Sequence, residues 1–280
     1  MTAAVMLALG SAATFGAADF LGGLASRRAD AVPVALLSQA IGFVLVLVAM
    51  PLVPGAFGLP ALGWGMLAGL GGAGGLILYF RALGMGAMGI TAPIASLVGA
   101  AVPVTVGLGL GERPALTAAF GIAVGVVATV LVSRRAGGQV DIAVAGQRRA
   151  LFTAAAAGLL FGVFFVGLDQ APDQSGLWPL VGARLAGLAL LVGCMAVQRP
   201  GLPDGRVVTL AAVSGTLDMT ANVLFLLATR EGLLVLTSVV TGLYPVGVVV
   251  LAWLVLRERL SGVQIAGVGM ALAATALIAV

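Results

Sequence analysis

The chain has 280 residues, of which 61% are hydrophobic and only 9% charged, with fourteen arginines, no lysine, no histidine and a formal net charge of +4. A soluble domain carries roughly 25% charged residues to solvate its surface, so this composition excludes an ordinary soluble fold and makes lipid part of the solvent. The lone Cys194 excludes an internal disulfide, and the missing histidine removes the commonest general base and metal ligand.

No metal, cofactor or nucleic-acid partner is therefore expected, and a pI near 10.5 is read as arginines gathered at loop ends. Arginine without lysine, amid so much Ala, Gly and Val, is what a GC-rich bacterial genome encodes.

A helix needs about 20 mostly apolar residues to cross the hydrocarbon core. In chain order, ten such stretches lie between polar or Pro/Gly breaks: 3–25, 33–53, 61–80, 87–110, 115–133, 150–168, 177–197, 207–229, 233–256 and 262–280. The first has no charged leader and no cleavage site and contains Asp19, so it reads as a helix that stays. The third carries seven glycines from Gly63 to Gly75, and spacings such as Gly65/Gly69, Gly71/Gly75 and Gly121/Gly125 let helices approach closely. Trp64, Trp178 and Trp253 lie near span ends, as interfacial anchors do. The one substantial polar loop, 134–149, divides the chain almost in half.

Shifting the chain by 146 residues lays the halves on each other. Phe15-Gly16 falls on Phe161-Gly162, Pro54-Gly55 on Pro200-Gly201, Glu112-Arg113 on Glu258-Arg259, and Gly121 on Gly267. Residues 1–134 and 147–280 share 27 identities without a gap, where composition alone gives about fifteen. The expected fold is an all-α integral membrane protein of ten transmembrane helices. It divides into a first five-helix repeat (1–134), a polar linker (135–146) and a second repeat (147–280). Five spans end on the opposite face from where they began, so the second copy would enter the membrane inverted. That is the arrangement of alternating-access carriers with a site near the midplane.

Gly111-Glu112-Arg113 and Arg257-Glu258-Arg259 close the fourth and ninth spans, Tyr244-Pro245 lies thirteen residues before Glu258, and Arg184 stands in the seventh helix. With these motifs and its half-length repeat, the chain resembles the EamA-type carriers of the drug/metabolite transporter (DMT) superfamily over essentially its whole length. The first copy departs from the second, with Gly99 opposite Pro245 and Ser38 opposite Arg184. The resemblance implies a secondary transporter in the plasma membrane, not an enzyme, moving a small metabolite that is amino-acid-, drug- or sugar-like. A passive channel, a lipid scramblase, a structural membrane subunit and an intramembrane aspartyl protease are the competing readings.

A charge at a helix centre costs about 2.5–3.5 kcal/mol on insertion, so it usually faces a cavity or a partner. Asp19, Arg184 and Asp218 stand inside spans. Ser214, Asp218 and Asn222 share one helical face, flanked by Thr216 and Thr220. This stripe reads either as a binding or protonation site or as a structural Asp–Arg pair in which Arg184 ties the halves together. Asp19, Arg184, Asp218 and Asn222 fall opposite Phe165, Ser38, Gly72 and Leu76, and so break the symmetry as residues recognising an asymmetric solute should. Asp218 is expected to matter more than Asp19. Tyr244 reads equally as a cavity aromatic or as a structural hydroxyl. The symmetric Glu112, Arg113, Glu258 and Arg259 are assigned structural roles at helix ends, where a glutamate can accept from the next helix's first N–H groups.

Protons are the coupling ion the composition allows, because a buried carboxylate is the obvious titrating group within the membrane. Eleven arginines fall in the loops on one face and two, Arg113 and Arg230, on the other. Cytoplasmic loops collect arginine, which places the 134–149 loop inside and both termini outside. The family resemblance implies the reverse, and the size of the bias favours the arginine reading.

Overall fold

A computed structural model describes residues 2–84, 88–132, 144–201, 203–256 and 261–279. Among the described residues there is no strand. The helices are α1 (Thr2–Ser26), α2 (Ala31–Ala49), α3 (Leu59–Gly84), α4 (Met88–Gly109), α5 (Leu116–Val132), α6 (Val144–Asp169), α7 (Trp178–Gln198), α8 (Gly205–Glu231), α9 (Leu234–Thr241), α10 (Tyr244–Leu256) and α11 (Gly262–Ala279), with 3₁₀ turns at Met50–Leu52 and Asp173–Ser175. Eight segments are long and apolar enough to cross a membrane, and α4 and α5 contribute shorter apolar stretches. These ten segments correspond to the ten spans read from the sequence. Their apolar residues run all round the helix, as lipid-facing helices require. Leu52, Val48, Leu116 and Leu272 remain exposed on the outer surface.

The ninth span departs from expectation. It is read from the sequence as one helix over 233–256, yet it breaks between Thr241 and Tyr244. Pro245 has no N–H to return to the Thr241 carbonyl, and its ring crowds that carbonyl. The chain tightens instead, with the Leu243 amide donating to the Val240 carbonyl at 3.1 Å. The Ser96 hydroxyl of α4 donates to the Gly242 carbonyl at the break. A polar backbone group freed near mid-membrane thus finds a partner from another helix.

The two halves interleave rather than stand apart. α1 packs on α8 and α10, α3 on α6 and α7, α2 on α7 and α8, α4 on α6 and α9, and α5 on α11. Glycine sets how closely several of these pairs approach. A Cβ on Gly65 would lie 2.1 Å from the Pro179 carbonyl oxygen, and one on Gly69 would lie 2.0 Å from that of Ala183. Gly71 and Gly75 face α6 at Leu160 and Phe161 in the same way. Gly16 meets Gly247 where α1 crosses α10, and Gly162 meets Val102 where α6 crosses α4.

One end of the bundle is stitched shut by bonds between the halves. The Ala56 amide donates to the Gln174 carbonyl at 2.8 Å, and Gly55 lies against Gly176. Within the second half, Arg230 donates to the Gly176 carbonyl at 2.6 Å and so braces that contact. Glu112 accepts from the amides of Leu234 at 2.8 Å and Val235 at 2.9 Å. Glu112 therefore caps α9, in the other half, rather than the helix that follows it. Opposite charge at a helix N-terminus, plus two satisfied amides, explains why an acid belongs there.

Candidate functional site

A cavity of about 70 Å³ lies near the middle of the bundle, walled by residues of α1, α2, α3, α4, α6, α7, α8, α9 and α10 together with the α9–α10 break. A buried water needs about 10–15 Å³ by this measure, so the space takes a solute of several heavy atoms. Its polar wall comes from α2, α7 and α8. Arg184 of α7 is 5% exposed, and its guanidinium has two partners. Nη1 donates to Gln39 Oε1 of α2, and Nη2 donates to Asp218 Oδ2 of α8 at 2.6 Å. Asn222, one turn along α8, donates from Nδ2 to the Asp218 carbonyl at 2.7 Å and to its Oδ2 at 3.1 Å. Three apolar helices can carry these groups because each charge is paired and hydrogen-bonded, the condition for placing ions in a low-dielectric interior. Gly42 leaves the guanidinium its place, since a Cβ there would meet it at 3.2 Å.

Asp19 of α1 also lines the cavity. It accepts from the Tyr79 hydroxyl of α3 at 3.1 Å. Among the described residues no cation pairs with it, and Arg184–Asp218 is the one ion pair. The remaining wall is aromatic. Phe15 packs edge-on to Phe165 at 6.1 Å and tilts against Tyr244 at 6.5 Å, and Phe161 meets Tyr79 at 5.8 Å. Gly72 leaves room for Phe164, whose ring a Cβ would meet at 2.8 Å. The cavity thus combines one self-neutralised ion pair, one carboxylate without a counter-cation and a lining of rings. This is equipment for holding a small solute by charge and apolar contact.

Residues 148–280 match the model of the EamA-like transporter family. Over those residues the chain belongs to that family. It is therefore a membrane transporter of the DMT superfamily. A solved structure described only as "Crystal structure of protein" matches with a TM-score of 0.75 and 20% identity, covering 96% of this chain and 94% of the other. At that identity the likeness is one of fold. No curated protein sequence matches.

In this EamA-family transporter, five of the residues singled out from the sequence meet at the cavity: Asp19, Arg184, Asp218, Asn222 and Tyr244. Ser214 does not. It is buried, and its hydroxyl donates to the Ala18 carbonyl at 2.8 Å, tying α8 to α1. Thr216 and Thr220 are exposed and bond back to their own helix. Glu112 holds α9, while Arg113 is exposed beside it. Glu258 and Arg259 lie outside the described residues.

Sequence reasoning missed Gln39, Tyr79, Ser96 and the phenylalanines of the wall. Signals for some of them were present. Tyr79 is one of two tyrosines in the chain, Gln39 is an amide inside an apolar span, and Phe15 and Phe161 occupy equivalent positions of the two halves.

Proposed function

We propose that the transporter is a secondary carrier of the plasma membrane that moves a small solute by alternating access. The halves 1–134 and 147–280 act as inverted five-helix repeats around the central cavity, which is the solute site. One observation carries this reading. Positions 146 residues apart, equivalent under the repeat, line the cavity together: Phe15 and Phe161, Asp19 and Phe165, Gly72 and Asp218, Leu76 and Asn222. Ser96 and Gly242, also 146 apart, bond directly. Equivalent positions meet only near an axis relating two copies, so the cavity sits on that axis, where inverted-repeat carriers place their sites.

The packing supports the same relation. α1 on α8 answers to α6 on α3, and α3 on α7 answers to α8 on α2. Gly121 against Ile278 answers to Gly267 against Val132. The stitched end, with Glu112 and the Ala56–Gln174 bond bridging the halves, is the closed gate of one state.

Purified protein in proteoliposomes tests the reading. A carrier gives saturable uptake that is accelerated by solute loaded on the far side. Uptake that rises linearly with solute and ignores the far side would mean a channel.

A further inference from the structure

The charge and hydrogen-bond balance of the cavity narrows its ligand, on the reading that this cavity is the carrier's solute site. Among the described lining residues the formal charges are Asp19, Asp218 and Arg184. Asp218 and Arg184 cancel at 2.6 Å, and Gln39 takes a further guanidinium donor. Asp19 is left with one neutral donor, the Tyr79 hydroxyl. Two carboxylates against one guanidinium leave the ionised site one negative charge in excess.

The second observation is Asn222. Its side chain is 2% exposed, and its Oδ1 is buried without a hydrogen-bond partner. The amide orientation is fixed, because Nδ2 is held by two acceptors of Asp218. A buried carbonyl oxygen without a donor costs about 1–3 kcal/mol, and this one belongs to a residue of the cavity wall. Asp19 thus has one neutral donor and Asn222 Oδ1 has none, and Arg184, the cation among the described lining residues, is already paired.

We propose that the cavity binds a small primary ammonium ion, whose N–H groups donate to Asp19 and to Asn222 Oδ1 and whose hydrocarbon body packs against Phe15, Phe161 and Phe164. Aromatic faces attract a desolvated cation, so the rings that exclude water also favour the charge. A zwitterion brings a carboxylate that must displace Asp218 from Arg184. A free acid meets Asp19 with like charge. A quaternary ammonium keeps the cation–π attraction but has no N–H for Asn222.

Four ligands sharing one branched carbon skeleton separate these cases: isoamylamine, its N,N,N-trimethyl derivative, leucine and 4-methylpentanoate. Their binding to the intact detergent-purified transporter is measured by calorimetry, beside Asp19→Asn, with ligand-free unfolding temperature as the check on folding. Isoamylamine is expected to bind tightest of the four, and Asp19→Asn to weaken it about tenfold or more, the loss of a charged hydrogen bond. Tighter binding of leucine or 4-methylpentanoate, equal binding of the trimethyl compound, or no binding of isoamylamine overturns the inference. These wild-type comparisons stand even if the variant misfolds. Amine flux into proteoliposomes separates this inference from the carrier reading. Saturable flux of another solute class without amine binding overturns only the amine, whereas tight amine binding without flux of any solute overturns only the carrier.

Discussion

Arg184 Nη2 and Asp218 Oδ2 lie 2.6 Å apart, joining α7 to α8 in the wall of the cavity, and Gln39 holds the same guanidinium from α2. Removing one partner of a buried pair leaves an uncompensated charge, costing about 3–5 kcal/mol when fully buried. The Asp218 side chain is 25% exposed, so Asp218→Asn should cost less, about 2 kcal/mol. Arg184→Gln/Asp218→Asn, which removes both charges, should unfold later than either single variant. Unfolding temperatures in detergent check this, and additive losses would mean the pair is not energetically coupled.

Glu112 gives both carboxylate oxygens to the first amides of α9. Glu112→Ala should destabilise the transporter by about 1–2 kcal/mol, in the range of a lost N-cap. Hydrogen exchange at Leu234 and Val235 should accelerate, with Glu112→Gln intermediate because it keeps one acceptor. Unchanged protection at those two amides would show that the cap contributes nothing.

The glycines of α3 divide sharply. Gly69→Ala places a Cβ 2.0 Å from the Ala183 carbonyl oxygen, whereas a Cβ at Gly63 has nothing within 4 Å. Gly69→Ala should lower the unfolding temperature or abolish recovery of folded protein, since backbone cannot yield as a side chain can. Gly63→Ala should be neutral or slightly stabilising, by up to about 1 kcal/mol from helix propensity. Equal behaviour of the two variants would contradict the close α3–α7 contact.

Orientation can be read with thiols. In a Cys194→Ser background, reporters at Gly201 and Gly109 sit at opposite ends of the bundle, and neither has a neighbour that a Cβ would meet. The arginine bias puts the Gly201 end in the cytoplasm. An impermeant maleimide applied to intact cells should therefore label Gly109→Cys and spare Gly201→Cys. The opposite pattern would place both termini inside, as the family resemblance implies.

Proton and ammonium compete for one carboxylate if Asp19 holds the ligand. The groups around it are Tyr79, Tyr244, Asp218 and Arg184, of which only Tyr79 donates to it directly. A cation needs the ionised form, so amine affinity should fall as the pH is lowered far enough to protonate Asp19. The slope should vanish in Asp19→Asn. A slope that persists in that variant would assign the titration to another group.

Composition and periodicity determined most of the architecture. Ten apolar stretches appear as ten segments because span length is fixed by bilayer thickness, a local property of sequence. Some close contacts were legible too: Gly121 and Gly267, matched in the sequence, each lie under a neighbouring helix, at Ile278 and Val132. Intramembrane charges were also conspicuous, since lipid tolerates few of them.

Tertiary structure decided the pairings. Helices from the two halves interleave, so Gln39 reaches Arg184 from 145 residues away and Tyr79 reaches Asp19 from 60. Helical spacing placed Ser214, Asp218 and Asn222 on one face, but could not tell that Ser214 turns to the Ala18 carbonyl while the other two wall the cavity. Glu112 was visible as a helix-end acid, yet the helix it caps lies in the other half. Which groups meet depends on where helices cross, and helix crossing is set by close glycine contacts between segments far apart in the chain.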